Sequence, residues 1–271
     1  MFISRIMKLT LTTLLLLITT YSFFAQDFEV APVIMNFNAN PGQIQKKKLT
    51  IRNHANVKQS FTFNFGDYEV NEAGKKIRQA AGTSKRSCAS WTTVTPNLIE
   101  LNPNEEREVT VLMTVPKSGF STKWGMIYVQ ASTEQQGNEI DKQLATGIKV
   151  TPRIAVLISQ SPKTNKNYKG KIYNLKEVTT EKDSLKTFAV VVENIGDKII
   201  EGNVQLLLAN METANETKYK PEKNRVFPGE KRTFTLTLPN NIAKGKYVLA
   251  AVLNYGHDTN LEGTQLLLEF K

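Results

Sequence analysis

Past Gln26 the apolar residues of this chain recur at every second position almost without exception. Phe61, Phe63 and Phe65 alternate with Thr62 and Asn64, and Val109, Val111, Met113 and Val115 alternate with Thr110 and Thr114. Phe234, Leu236 and Leu238 alternate with Thr233, Thr235 and Thr237. A period of two places successive side chains on opposite faces of an extended strand, so each run reads as a strand with one face on a core. Turn-forming residues separate the runs: Asn40-Pro41-Gly42, Gly66-Asp67, Asn102-Pro103-Asn104, Phe227-Pro228-Gly229 and Pro239-Asn240-Asn241. No capped stretch carries a helical period, and the fold class that follows is all-β.

The pattern is written twice. Pro103-Asn104-Glu105-Glu106-Arg107-Glu108-Val109-Thr110-Val111 has an echo in Pro228-Gly229-Glu230-Lys231-Arg232-Thr233-Phe234-Thr235-Leu236. Leu49-Thr50-Ile51-Arg52-Asn53 is echoed by Val190-Val191-Val192-Glu193-Asn194, each a strand closed by Asn. Trp124-Gly125-Met126-Ile127-Tyr128-Val129 is echoed by Lys246-Tyr247-Val248-Leu249-Ala250-Ala251. Three matches in one order predict two copies of one β-domain, each of about seven short strands, as in an immunoglobulin-like sandwich. The expected division is a first sandwich over 27–158, a polar linker over 159–170 and a second sandwich over 165–271.

Residues 1–25 read as a cleaved secretory signal peptide. Arg5 and Lys8 provide the positive start, Leu9 to Phe24 the apolar run, and Ala25 a small residue before Gln26. The run is too short for a membrane span, so no integral span is expected once it is removed. The single cysteine, Cys88, has no partner for a bridge within the chain and reads as a small buried hydrophobe or a free thiol. The formal net charge of +10 is spread along the chain, its densest run being Lys46-Lys47-Lys48. Diffuse charge without a basic helix or an aromatic-basic motif predicts no nucleic-acid partner.

The residues for an active site do not assemble. His54 and His257 fall in different predicted domains, neither beside a nucleophile motif. Glu105 and Glu106 flank a turn, where a solvated strand entry is expected. No phosphate loop, calcium loop or metal-ligand spacing occurs, so catalytic residues, metals and cofactors are all expected to be none. Trp91 and Trp124 read as core or sheet-face residues. The triplets Asp183-Ser184-Leu185 and Asn215-Glu216-Thr217 match short glycosylation signals that also arise by chance.

With Ile51-Arg52-Asn53, Leu98-Ile99-Glu100-Leu101-Asn102-Pro103 and Val115-Pro116, the first copy resembles the amino-terminal domain of the PapD-like periplasmic pilus chaperones. It equally resembles the wider immunoglobulin-like group related to major sperm protein. The segment Thr151-Pro152-Arg153-Ile154-Ala155-Val156-Leu157-Ile158 looks like the last strand of that chaperone domain. The resemblance implies a non-enzymatic, exported module that binds envelope, secreted or pilus subunits by β-strand addition, with outer-membrane assembly machinery as a further partner. It implies a periplasmic location, with the cell surface as the second choice. Partner-binding residues on that strand would be Ile148, Lys149, Val150, Arg153, Ile154, Val156 and Ile158. The same alternation also suits a core strand facing its own sheet, and Pro152, lacking an N–H, favours an edge. The family's basic anchor for a partner carboxylate has a member on the first strand, whereas Glu29-Val30-Ala31-Pro32-Val33-Ile34 has no Arg or Lys; Arg153 or Lys149 would be the other member. A structural or adhesive envelope protein with immunoglobulin-like spacers is the alternative function.

Overall fold

The computed structural model describes residues 27–133, 151–180, 184–256 and 261–270. The expected signal peptide, Ile148, Lys149, Val150, Asp183 and His257 lie outside these residues. The described chain is all-β, apart from one turn of 3-10 helix at Ala89–Trp91.

The first ten strands are β1 (Phe28–Ala31), β2 (Ile34–Phe37), β3 (Ile44–Asn53), β4 (Gln59–Val70), β5 (Lys76–Ala80), β6 (Thr92–Thr95), β7 (Leu98–Leu101), β8 (Glu106–Thr114), β9 (Lys123–Thr133) and β10 (Arg153–Gln160). They form two facing sheets, ordered β1-β3-β8-β6 and β2-β10-β9-β4-β5, with β7 also on β4. The chain changes sheets between its first two strands. β1 pairs antiparallel with β3, and after Pro32, which has no N–H to continue a ladder, β2 pairs parallel with β10 on the opposite sheet. The inward alternation fills one core: Phe61, Val109, Val111, Met113, Ile127 and Val129 are all at most 1% exposed. Phe28 stands edge-on to Phe61 at 5.2 Å and 62°, a geometry worth about 0.5–1.5 kcal/mol beyond the area buried.

The second sandwich contains β11 (Gly170–Glu177), β12 (Lys186–Asn194), β13 (Ile200–Asn210), β14 (Glu216–Lys218), β15 (Glu222–Val226), β16 (Lys231–Leu238), β17 (Gly245–Asn254) and β18 (Glu262–Phe270). One sheet runs β11-β12-β16 and the other β14-β13-β17-β18, with β15 also on β13. Phe188, Val190, Val192, Phe234, Leu206, Leu249 and Leu253 make its separate core.

Two of the sequence echoes recur as strand pairings. Arg52 opposes Glu106 and Leu49 opposes Val109 in the first sandwich, while Glu193 opposes Lys231 and Val190 opposes Phe234 in the second. In both copies the closing Asn is fully buried and spans the sandwich end. Asn53 donates to the carbonyls of Val57, Leu101 and Asn102, and its backbone N–H donates to Glu105 O. Asn194 donates to Lys198 and Val226 carbonyls, and its N–H donates to Glu230 O. Alanine at either position leaves buried carbonyls without donors. Asn53→Ala and Asn194→Ala are each expected to lose about 2–4 kcal/mol in chemical denaturation, and a loss below about 1 kcal/mol in both would contradict the role.

Candidate partner-binding edge

Strand β10 carries the described part of the expected binding surface, and its two faces and two edges differ. Along one edge β9 pairs with it over its whole length, from Arg153–Gln130 to Gln160–Lys123. Along the other edge β2 covers only Leu157 to Gln160. Leu157 N–H donates to Val33 O on that side at 2.9 Å. Backbone groups of alternate residues share a side, so the N–H and C=O of Arg153 and Ala155 point the same way, beyond the end of β2. Among the described residues no strand flanks them. Val33 and Ile34, 53% and 44% exposed, stand where β2 begins beside this open stretch.

The side chains divide between two tasks. Val156 and Ile158 are 0% and 1% exposed and belong to the first core, with Ile154 half-buried beside them. They are filled by their own sandwich, as the core-strand alternative required, and offer a partner no side chain. Gln160 closes the strand by bonding both backbone groups of Ala39. Arg153 is exposed, its guanidinium 4.5 Å from the Tyr128 ring. That ring lies so close across β4 that a Cβ on Gly66 would sit 2.6 Å from it, which explains a glycine there.

The face of this sheet turned away from the core is covered by the second sandwich. Phe227 enters among Tyr68, Val70, Trp124, Met126 and Tyr128, with Ile199, Ala155 and Leu157 packed around them. Trp124 thus serves a sheet face, and its indole N–H donates to Tyr68 O at 2.9 Å. Polar contacts surround this apolar seam. Asp197 pairs with Arg86 and accepts from Thr122 N–H at 3.0 Å and Asn165 Nδ2 at 2.7 Å. Glu72 O accepts from Thr233 N–H at 2.9 Å, and the Arg232 guanidinium packs against Gly74, whose φ of +80° favours glycine. Beside the seam, a groove of about 250 Å³ runs past Asn36, Ser159, Tyr168, Lys198, Ile199 and Arg225. Burial, with Lys166 nearby, lowers the Lys198 ammonium below its ordinary range. Basic groups in this groove therefore come from the second sandwich, not from the first strand.

Glu230 accepts from Val70 N–H across the seam at 3.1 Å. Burial raises its carboxyl from 4.5 to about 6, partly offset by that N–H and reinforced by Glu69. The folded protein therefore holds this proton more tightly than the unfolded chain. The contribution is full below pH 4.5 and is lost as pH rises through about 6. The unfolding midpoint is expected to drop across that window and Glu230→Gln to flatten the drop; Glu105, held low by Asn102 N–H and Arg107, titrates below it. An unchanged slope in Glu230→Gln would refute the assignment.

The remaining candidates take structural places. Burial pushes the Cys88 thiol up to about 12, which keeps it protonated and inert. His54 faces Glu29 at 3.2 Å on the surface. Trp91 is half-buried against the first core, and Glu105 caps its own turn by accepting from Asn102 N–H. Among the described residues no three His, Cys, Asp or Glu converge as metal ligands, and no helix is long and apolar enough to cross a membrane.

The chain is similar to the class 5 fimbriae chaperone CfaA, at 13% identity and a TM-score of 0.49, over 89% of this chain and 98% of that one. It is also similar to a chain of the chaperone–tip adhesin complex of CFA/I fimbriae, at 12% identity and 0.48, over 89% and 98%. The E. coli chaperone DraB gives 12% and 0.43, over 88% and 98%. The likeness is one of fold. No protein-family model matches the chain, and no curated protein matches it.

Sequence reasoning did not assign Phe227, Asp197 or Glu230 to a junction. Phe227 and Glu230 sit around a stretch that the sequence marks only as a turn, Phe227-Pro228-Gly229, and Asp197 follows a strand marked only by its closing Asn194. Phe227 carries a weak signal, since a large aromatic immediately before Pro-Gly is out of place in a solvated turn.

Proposed function

We propose that this chain is an exported, non-enzymatic binding module that captures extended segments of envelope or secreted protein subunits by strand addition. The reading rests on one observation: β2 leaves the outer side of β10 open at Arg153 and Ala155. An extended segment placed there runs in line with β2, takes backbone hydrogen bonds from Arg153 and Ala155, and meets the apolar Val33 and Ile34 at the end of the slot. The sequence resemblance to PapD-like chaperones supports a periplasmic location and pilus or other envelope subunits as clients. Outer-membrane assembly machinery is the next partner on the same reading. The side chains that a client meets are Arg153, Ile154, Val33 and Ile34, while Val156 and Ile158 hold the strand in place.

Ala155→Pro deletes one outward N–H, and Ile34→Asp puts a charge on the exposed flank. Both variants are expected to retain cooperative unfolding and to lose at least about tenfold in pull-down of envelope subunits. Capture at wild-type level by both folded variants would refute strand addition at this edge.

A further inference from the structure

The end of the first sandwich farthest from the open edge has an amphipathic character that strand capture does not use. The turn joining β8 to β9, 115–122, is tied into a tight loop by Gly119 N–H donating to Pro116 O and Phe120 N–H donating to Ser118 O. Phe120 projects from it, 65% exposed. Behind it, Gly119 packs against the rim of the half-buried Trp91 ring, and Lys123 places its ammonium 5.3 Å from that ring. Trp91 thus lies against the residue that precedes the exposed ring.

Lysines surround this tip. Lys117 lies on the turn itself, its stem against Gly42. Thr164 is bonded to Asn40 beside the same turn, which brings Lys163 and Lys166 to this end. Lys166 and Phe120 line one shallow depression. Lys117, Lys163 and Lys166 are exposed. Among the described residues none of them has a carboxylate within ion-pair distance. The acid in the depression, Asp197, is already bound to Arg86, Thr122 and Asn165. The result is an uncompensated positive rim around a protruding ring, with no enclosed cavity and no convergent donors for one small ligand.

An exposed aromatic set among unpaired lysines matches the boundary of an anionic bilayer, where the ring enters the interface and the ammonium groups meet headgroup phosphates. We propose that this end is a docking surface for a membrane containing anionic phospholipid. The register places it well for that use. Gln160 of β10 pairs with Lys123 at this end while Arg153 pairs with Gln130 at the other. The open edge is therefore roughly 20 Å away along the strands and stays free when the tip is docked.

Co-sedimentation with vesicles tests this directly. The protein is expected to bind vesicles of equal parts phosphatidylcholine and phosphatidylglycerol and not vesicles of phosphatidylcholine alone. Lys117→Glu with Lys166→Glu is expected to weaken binding by about fivefold or more per lysine, and Phe120→Ser by about fivefold, with melting temperatures unchanged. Absence of sedimentation with anionic vesicles would overturn the proposal. So would equal binding to both vesicle types. Retention by the lysine variant would do the same, as would loss in the lysine variant without any effect of Phe120→Ser, which marks plain attraction to any acidic partner.

Discussion

Val156→Asp is expected to abolish cooperative folding of the first sandwich, at a cost of more than about 4 kcal/mol. Val156 is 0% exposed, opposes Ile127 on β9 and has only core neighbours on its inward face. A carboxylate there is either ionised without a partner or protonated with unmet hydrogen-bonding groups, and both are expensive in an apolar core. Urea denaturation followed by tryptophan fluorescence would register the loss, because Trp91 and Trp124 both belong to the first sandwich. A transition within about 1 kcal/mol of wild type would show that β10 is not a core strand. The same substitution read only through partner capture would mislead, since an unfolded variant also fails to bind. Ala155→Pro and Ile34→Asp avoid that confusion because they change the open side and its exposed flank.

Phe227→Ala should uncouple the two sandwiches. The ring is 6% exposed and stands edge-on to Trp124 at 5.0 Å and to Tyr68 at 5.9 Å. Its removal leaves a cavity in the middle of the seam, for which about 3–5 kcal/mol is the usual cost of a buried Phe→Ala change. The two cores do not share side chains, so this loss falls on the coupling between them and not on either core. Calorimetry is expected to resolve two transitions for the variant and one for the wild type, and Trp124 emission to shift to the red in the native state of the variant. A single transition with unshifted emission would place the coupling in the polar contacts instead. Asp197→Ala tests that directly, since it removes the Arg86 pair and the acceptor for Thr122 and Asn165.

A large part of the fold is legible in the sequence. The alternating runs at Phe61–Phe65, Val109–Val115 and Phe234–Leu238 each became a strand with the expected face inward, because a two-residue period is a property of the backbone. The echo between the Asn53 and Asn194 strands held down to single residues, for each Asn bonds the carbonyls of its own sandwich end. The binding strand was less legible. Alternation at Ile154, Val156 and Ile158 looks the same whether the apolar face meets a partner or its own core. Only the burial of Val156 and Ile158 in the first core distinguishes the two.

An all-β chain with two copies of one pattern, a cysteine with no bridge partner within the chain and charge spread along its length are all legible in the sequence. Those properties follow from side-chain spacing and local turn chemistry, which a linear sequence carries in full. How far β2 reaches along β10, and hence which backbone groups stay open, is set by long-range pairing. So are the burial of Cys88, the meeting of Phe227, Asp197 and Glu230 in one seam and the place of Phe120 among unpaired lysines. Such features join residues far apart in the chain, and no local preference encodes which of two distant turns will meet.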